Sequence, residues 1–301
     1  MSIFLKSLTT QLFNDIRMGM RKLSVDDIRE VLKVEVRKSI LHSHQVNLGT
    51  NKYDSEKMED NLKSVSSREE KKSKRNYGKI ILDEMRNATN FSKWEIDISF
   101  RELFGRVIEI GCGLGNNLDH LHKHFTDLWV CDYRQEYLDH VTSTKPYMTN
   151  KALMWDITLP NNFDITFDSF FCSNVLEHIY DDQNAMKNIS NIPGIKSGVV
   201  IVPANKIIYN KLDANVDHHR RYSKGELVQK LTDSGFKVMS ISSFNKIGVL
   251  GWIMQGVIFK LETLGSRNMK LFDKLMPFIK MIDPILPWTG LSLVAILKKD
   301  Q

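Results

Sequence analysis

The chain has 301 residues and 42% hydrophobic content, enough for one large α/β domain with additions or for two smaller domains. Its formal net charge of +6 is unevenly spread: residues 1–75 carry 16 Lys or Arg against 11 Asp or Glu, and residues 76–301 carry 26 against 25. The three cysteines, Cys112, Cys131 and Cys172, form no CxxC pair and lie in or beside apolar runs, which argues against a disulfide framework or a cysteine zinc site and for small core residues in a reducing compartment.

Residues 1–22 mix Ile3, Phe4, Leu5, Leu8, Leu12, Phe13 and Ile16 with Lys6, Arg17, Arg21 and Lys22, and lack the continuous apolar core and cleavage site of a secretory signal. The pattern reads as an amphipathic helix that packs on a partner, with organelle targeting as the other reading. Residues 24–41 are expected to be helical, with Ser24 as the cap before Val25, Ile28, Val31 and Leu32; residues 42–75 are polar and expected to be poorly ordered. Arg68 to Arg75 is a mixed charge run, which reads as a solvated linker; contact with an anionic membrane or nucleic acid is the sharper reading. The globular domain is expected to begin near Asn76, dividing the chain into an extension, 1–75, and a domain, 76–301. That domain has no basic stripe with interleaved aromatics, so no nucleic-acid substrate is expected.

Val107 to Ile110 is short, β-branched and bounded by glycine, the pattern of a buried parallel strand. It breaks into Gly111-Cys112-Gly113-Leu114-Gly115 before Leu118, Leu121 and His122 take up a helical spacing. Glycines suit this turn because the chain must swing from strand into helix while bare backbone approaches a ligand. Glu109 stands two residues before the first glycine. The third small residue of a dinucleotide fingerprint would fall at position 116, which is Asn. Leu128 to Asp132 is a second apolar run, and its acid lies 21 residues after Gly111, where a carboxylate can accept both hydroxyls of a ribose. Ala152 to Asp156 is a third such run. Phe167 to Cys172 is a fourth, leading into Ser173-Asn174-Val175-Leu176-Glu177-His178-Ile179 and then Asp181 and Asp182. Any one strand-end acid alone would more often be a helix cap or a solvated loop residue. Four such signals in order argue for one cofactor site.

Further along, Asp182 to Ile192 is expected to be a helix and Val199 to Val202 a fifth strand, followed by Pro203. Ser223 and Glu226 make a capping box for a helix through Leu227, Val228 and Leu231 that stops at Gly235. Phe236 to Phe244 alternates as a sixth strand, and Leu291 to Leu297 is apolar enough for a seventh. Extra sequence at 203–222 and 245–288 reads as two cap insertions beside the crevice at the strand ends. The first holds Asp213, Asp217, His218, His219, Arg220, Arg221 and Tyr222. Metal binding by its acids and histidines is conceivable, but their spacing matches no structural zinc pattern and no metal is expected. The second holds an apolar stretch, 247–259, too short to span a bilayer. With Trp252, Met254, Phe259, Leu271, Leu275 and Phe278 it suits either a cap for a greasy acceptor or plain packing on the sheet.

The glycine turn, the acids at 132 and 156 and the Asn174 to Ile179 run together resemble class I S-adenosylmethionine-dependent methyltransferases, in the small-molecule and glycan-associated branch with the Leu-Glu-His-Ile signature. His219 through Phe236 resembles the His-x-Arg-Tyr-Ser, helix, Gly-Phe signature of bacterial methyltransferases that occur with glycan- and lipid-modifying enzymes. The resemblance covers residues 76–301. It implies a Rossmann-like, doubly wound α/β fold with a seven-stranded, mostly parallel sheet whose last strand is antiparallel. It implies S-adenosyl-L-methionine as the cofactor, its methionyl end held by the turn of Gly111, Gly113 and Gly115, its ribose by Asp132 and its adenine by Asp156, with Glu109, Tyr133 and Ile157 also in the cofactor-binding set. Asn174 at the strand-four mouth and Tyr77 from a lid helix complete that set; the other reading of 77–85 is packing through Ile80, Ile81 and Met85.

The implied reaction is methyl transfer, with an oxygen of a small-molecule, saccharide or lipid-linked acceptor as the leading reading and nitrogen or carbon acceptors on small metabolites left open. His178 is expected as the general base, or as a structural residue bonded to a loop carbonyl, with His219 as the second candidate base. Asp213, His218, Arg220, Arg221 and Tyr222 are expected to bind the acceptor. Some quinone-pathway relatives hold a divalent ion with acids around the Glu-His pair, but Asn174 stands where one of those acids would be. An NAD(P)-dependent oxidoreductase and a non-catalytic binding protein on the same scaffold are the alternatives. The expected location is the cytoplasm, with peripheral membrane contact.

Overall fold

A computed structural model of the chain describes Asp83 and residues 85–253 and 266–299. The expected N-terminal helices, the linker, Tyr77, Met254 and Phe259 lie outside the described residues.

Seven apolar segments form one sheet: β1 (Val107–Ile110), β2 (Leu128–Asp132), β3 (Ala152–Met154), β4 (Ser169–Ser173), β5 (Ser197–Pro203), β6 (Lys237–Phe244) and β7 (Ser292–Lys298). Their order is β3-β2-β1-β4-β5-β7-β6. β1 pairs in parallel with β2 on one side and β4 on the other, while β7 runs antiparallel between β5 and β6. This is the expected doubly wound sheet with an antiparallel last strand.

Several boundaries differ from the sequence pattern. β3 ends at Met154, two residues short of Asp156, because its ladder on β2 closes at Asp132 opposite Met154. β5 starts at Ser197 and keeps Pro203, whose missing N–H is tolerated at a strand end. The helix after the glycine turn is a single turn.

Both faces of β1, β2, β4, β5 and β7 are buried, as a sheet covered by helices on each side requires. Ile108, Ile110, Phe170, Cys172, Val200 and Val202 share one core with α4 (Asp182–Ser190) and α6 (Lys224–Asp233). Val107, Val130, Phe171, Val199 and Ile201 share the other with α1 (Thr89–Asp97), α2 (Leu118–Leu121), α3 (Gln135–Thr144) and α8 (Ser266–Ile282). The first insertion folds as the short helix α5 (Lys211–Asn215), and α7 (Lys246–Ile253) begins the second. All three cysteines are free and buried, as expected of small core residues.

The expected capping box on α6 forms in both directions, Ser223 accepting from Glu226 and Glu226 from Ser223. A second cap comes from far along the chain: Asp273 of α8 accepts from the Phe91 amide at 3.0 Å and from the Asn90 side chain at 3.2 Å, closing the N-terminal end of α1. At the other end of α1, Lys280 donates to Asp97 at 2.6 Å. Two termini that would otherwise fray are thus fixed to α8. No helix among the described residues is long and apolar enough to cross a membrane.

Gly198 of β5 sits opposite Phe170 of β4, and a Cβ there would lie 2.0 Å from the Phe170 ring. Gly198→Ala is therefore expected to destabilise the domain by about 1–3 kcal/mol, read as a lower urea midpoint with unchanged slope.

Candidate active site

The chain winds outward from β1 through β2 to β3, then returns to lay β4 on the other side of β1. The connections leaving β1 and β4 diverge, which opens a crevice at the carboxyl ends of these two strands. Gly111, Gly113 and Gly115 all have positive φ, at 71°, 51° and 75°. Any side chain would be strained in this turn. At Gly111 a Cβ would also lie 2.4 Å from Cγ2 of Val175, in the loop after β4, so the two loops that line the crevice touch.

Asp132 fixes the turn from below. Its Oδ2 accepts from the Gly113 amide and its Oδ1 from the Arg134 amide, both at 3.0 Å. Burial pushes its carboxyl up, and these two N–H groups oppose the shift. Each oxygen keeps a lone pair for a ligand hydroxyl. Tyr133, next along, is half exposed, and Arg134 bonds both its hydroxyl and that of Tyr137, at 2.6 and 2.7 Å. Asp156 is exposed beyond the end of β3, where one oxygen accepts from the amide and hydroxyl of Thr158; Ile157 beside it is buried.

Three carboxyls crowd the mouth of the crevice. Glu109 of β1 is buried; Asn117 donates to its Oε1 at 3.2 Å, and Oε2 has no hydrogen-bond partner. Burial pushes its carboxyl up to about 8. Glu95 of α1 is buried beside the end of β4, taking long bonds from Ser173 at 3.3 Å and Asn174 at 3.4 Å, and burial pushes it up to about 7. Asn174 itself has φ of 54°, a left-handed residue at the turn out of β4. Glu177, in the short turn Leu176–His178, is fully buried with neither oxygen hydrogen-bonded, and burial pushes it up to about 7.

Sequence reasoning gives no role to Glu95 or Glu177. The signal for Glu95 is its spacing: it follows Phe91 by four residues and Trp94 by one, placing an acid on the apolar stripe of α1.

The first insertion lies against this turn, since the His219 amide donates to the Glu177 carbonyl at 2.8 Å. His178 Nδ1 is 3.3 Å from the Asp217 carbonyl oxygen, a contact that needs the proton on Nδ1 and leaves Nε2 with a free lone pair. Burial and the neighbouring His218 bring the His178 ring down to about 3, so it is neutral across the physiological range. His218 Nδ1 is 3.2 Å from Asp213 Oδ1, and its Nε2 lies 3.7 Å from Glu177 Oε1. His219 is exposed.

The remaining expected acceptor-binding residues are committed to the protein. Arg221 is buried, paired with Asp213 at 2.8 Å and bonded to the Ala204 carbonyl at 3.0 Å. Tyr222 is fully buried and donates to Asp182 at 2.8 Å; Arg220 and Lys230 pair with the same carboxylate at 2.7 and 2.8 Å. Burial opposes charge on Asp182, but Lys230, Tyr222 and Arg220 together hold it below the usual carboxylate range. Asp213, Arg221 and Tyr222 therefore brace the insertion from inside.

Residues 108–192, from β1 past the end of α4, match a family model described as a methyltransferase domain. This stretch contains the glycine turn, Asp132, Asp156 and the β4 loop. No curated protein matches the chain. Among solved structures the chain is similar to a methyltransferase from Archaeoglobus fulgidus, at 16% identity over 73% of this chain and 99% of that one, with a TM-score of 0.48. A second, from Clostridium acetobutylicum, is 13% identical over 70% and 92% of the two chains, with a TM-score of 0.46. Magnesium protoporphyrin IX methyltransferase from Synechocystis, with bound S-adenosylhomocysteine, is 8% identical over 72% and 84%, with a TM-score of 0.44. Over residues 108–192 the chain therefore carries a methyltransferase domain.

Glu109 generates a pH test. Its carboxyl titrates near 4.5 unfolded and about 8 folded, so the folded state keeps a proton that the unfolded chain gives up. Its contribution to stability is full below the unfolded value and falls as pH rises through the folded one. Glu109→Gln is expected to raise Tm by several degrees at pH 8 and to leave it nearly unchanged at pH 4.5, followed by thermal melts across that range.

Proposed function

We propose that this S-adenosylmethionine-dependent enzyme methylates an oxygen of a saccharide or lipid-linked small-molecule acceptor, held at the mouth of β4 against the first insertion. The observation that carries the reading is the unpartnered, buried Oε2 of Glu109 beside a glycine turn of positive φ. Such an acceptor suits the ammonium group of a methionyl moiety, and the Asp132 lone pairs suit a ribose diol. The bound cofactor supplies an electrophilic methyl on a sulfonium. The protein's part is to hold the acceptor oxygen in line with it and to take the acceptor's proton.

Low basicity counts against His178 as the proton acceptor, and exposure favours His219. A ring held down to about 3 is a weak base, and a base works best near the operating pH. His219 is exposed in the same turn, tied to Glu177 through its amide. Asp213, Arg221 and Tyr222 position the segment that carries it. A lipid-linked acceptor is supported by the apolar side chains exposed on and beyond α8, Leu275, Phe278, Met281, Ile285 and Trp288, on the helix that caps α1.

The deciding experiment is calorimetric titration with S-adenosylhomocysteine and NAD, followed by a labelled-methyl screen of glycans, lipid-linked saccharides and amines. Micromolar binding of S-adenosylhomocysteine alone, with label moving to a hydroxyl, is expected. Label recovered only on amines would overturn the oxygen acceptor, and binding of NAD alone would overturn the whole reading. Asp132→Asn is expected to weaken S-adenosylhomocysteine by about 1.5–3 kcal/mol. His219→Ala should leave that affinity unchanged and lower turnover on the order of 100-fold; unchanged turnover would remove His219 from the chemistry.

A further inference from the structure

We propose that Glu177, His178 and His218 bind one divalent transition-metal ion of the zinc class at the mouth of β4. The donor atoms these three residues offer all lie within 4.8 Å of one another. Two imidazoles and a carboxylate suit zinc and its first-row neighbours, which three protein ligands hold with a coordination position left open.

The groups bonded to the back of each imidazole separate this cluster from a chance meeting of polar groups. His178 spends its Nδ1 proton on the Asp217 carbonyl at 3.3 Å. His218 Nδ1 faces Asp213 Oδ1 at 3.2 Å, and Asp213 is fully buried. Burial opposes charge on Asp213, yet His218 and Arg221 hold its carboxyl below the usual range, so it stays an acceptor. An imidazole whose Nδ1–H is tied to a carbonyl or a carboxylate presents the Nε2 lone pair outward, the arrangement that orients metal-bound histidines.

Glu177 is the independent sign that something is to be bound. It is 0% exposed, yet neither carboxylate oxygen has a hydrogen-bond partner. Its nearest cationic candidate, His218 Nε2, stands off at 3.7 Å, beyond hydrogen-bonding range. Leaving two buried carboxylate oxygens unsatisfied is costly, and an ion removes that cost. Arg221 does not serve, because it is paired with Asp213 at 2.8 Å. Zinc sits about 2.0–2.2 Å from nitrogen and oxygen donors, so the three side chains close around it by rotations that move each donor on the order of 1 Å. His178 is partly exposed, which gives the ion a path in.

This set is not the one that the spacing in the first insertion suggests. Asp213 orients a ligand, Asp217 offers only its carbonyl, and His219 gives an amide to Glu177. If the acceptor is a hydroxyl, as the proposed function has it, the open position would bind that oxygen and ease loss of its proton to His219.

The purified chain, stripped with a chelator, is titrated with zinc sulfate, with S-adenosylhomocysteine titrated in parallel. One zinc per chain at micromolar affinity or tighter is expected, and cobalt(II) on the same chain should show the visible absorption of a four- or five-coordinate site. Glu177→Gln and His218→Ala should each weaken zinc by about 100-fold. Should His218→Ala fail to fold by circular dichroism, His178→Gln tests the same set. No stoichiometric zinc uptake by the unaltered chain, or uptake undiminished in Glu177→Gln and His178→Gln, overturns the site and makes the cluster a buried polar brace. Loss of S-adenosylhomocysteine binding with zinc uptake intact would count against the proposed function alone.

Discussion

β1 is four residues long and hydrogen-bonded along both edges, so its register against β2 and β4 dictates where every site residue stands. The chain must leave the sheet at Ile110, and the first two amides beyond it are still satisfied by the sheet, because Gly111 and Cys112 both donate to the Cys131 carbonyl, at 2.8 and 3.1 Å. With that anchor made, Asp132 one residue on can reach Gly113. The same register sets Ile110 beside Cys172 of β4, which brings the loop after β4 onto the glycine turn at Val175. A one-residue slip would separate these contacts and turn the alternating core residues to the wrong face.

Buried carboxylates are of two kinds here, and the division follows function. Asp182 and Asp213 are each met by cations or donors inside the fold, so their charge costs little and serves to fasten the insertion to α4 and α6. Glu95 and Glu109 meet only neutral amide or hydroxyl donors and Glu177 meets none, and desolvation dominates all three. A fold that needed only stability would replace them with apolar side chains. Clustered acids at the carboxyl ends of β1 and β4 would instead suit a cationic ligand, and perturbed groups gather in working sites.

Much of this was legible in the sequence, for physical reasons that also mark where legibility stops. β1, β2, β4, β5 and β7 are buried on both faces and read as short apolar runs, and the Ser223 and Glu226 cap is local chemistry that needs no tertiary information. β3 is an edge strand with only partial burial, so its end is set by pairing, and Trp155 and Asp156 fall outside it. The polar cluster at 213–222 was visible as residue types, but which members are buried depends on how the insertion folds back on Glu177, a contact between distant segments. Tyr222 and Arg221 carry groups that recognise ligands, yet here they recognise Asp182 and Asp213. Glu95 was hidden because its meaning comes from Ser173 and Asn174, 78 and 79 residues away.

The placement of β7 has a consequence for how the chain is made. It lies between β5 and β6, with a full antiparallel ladder to each, although it follows both in sequence. Until its residues leave the ribosome, β5 presents an open edge beside β4 and β6 has no partner strand at all. For that interval the nascent chain carries an open apolar edge on β5 and an unpaired β6, the kind of surface that associates with other chains. The sheet is therefore closed late, by a single strand that enters between two others.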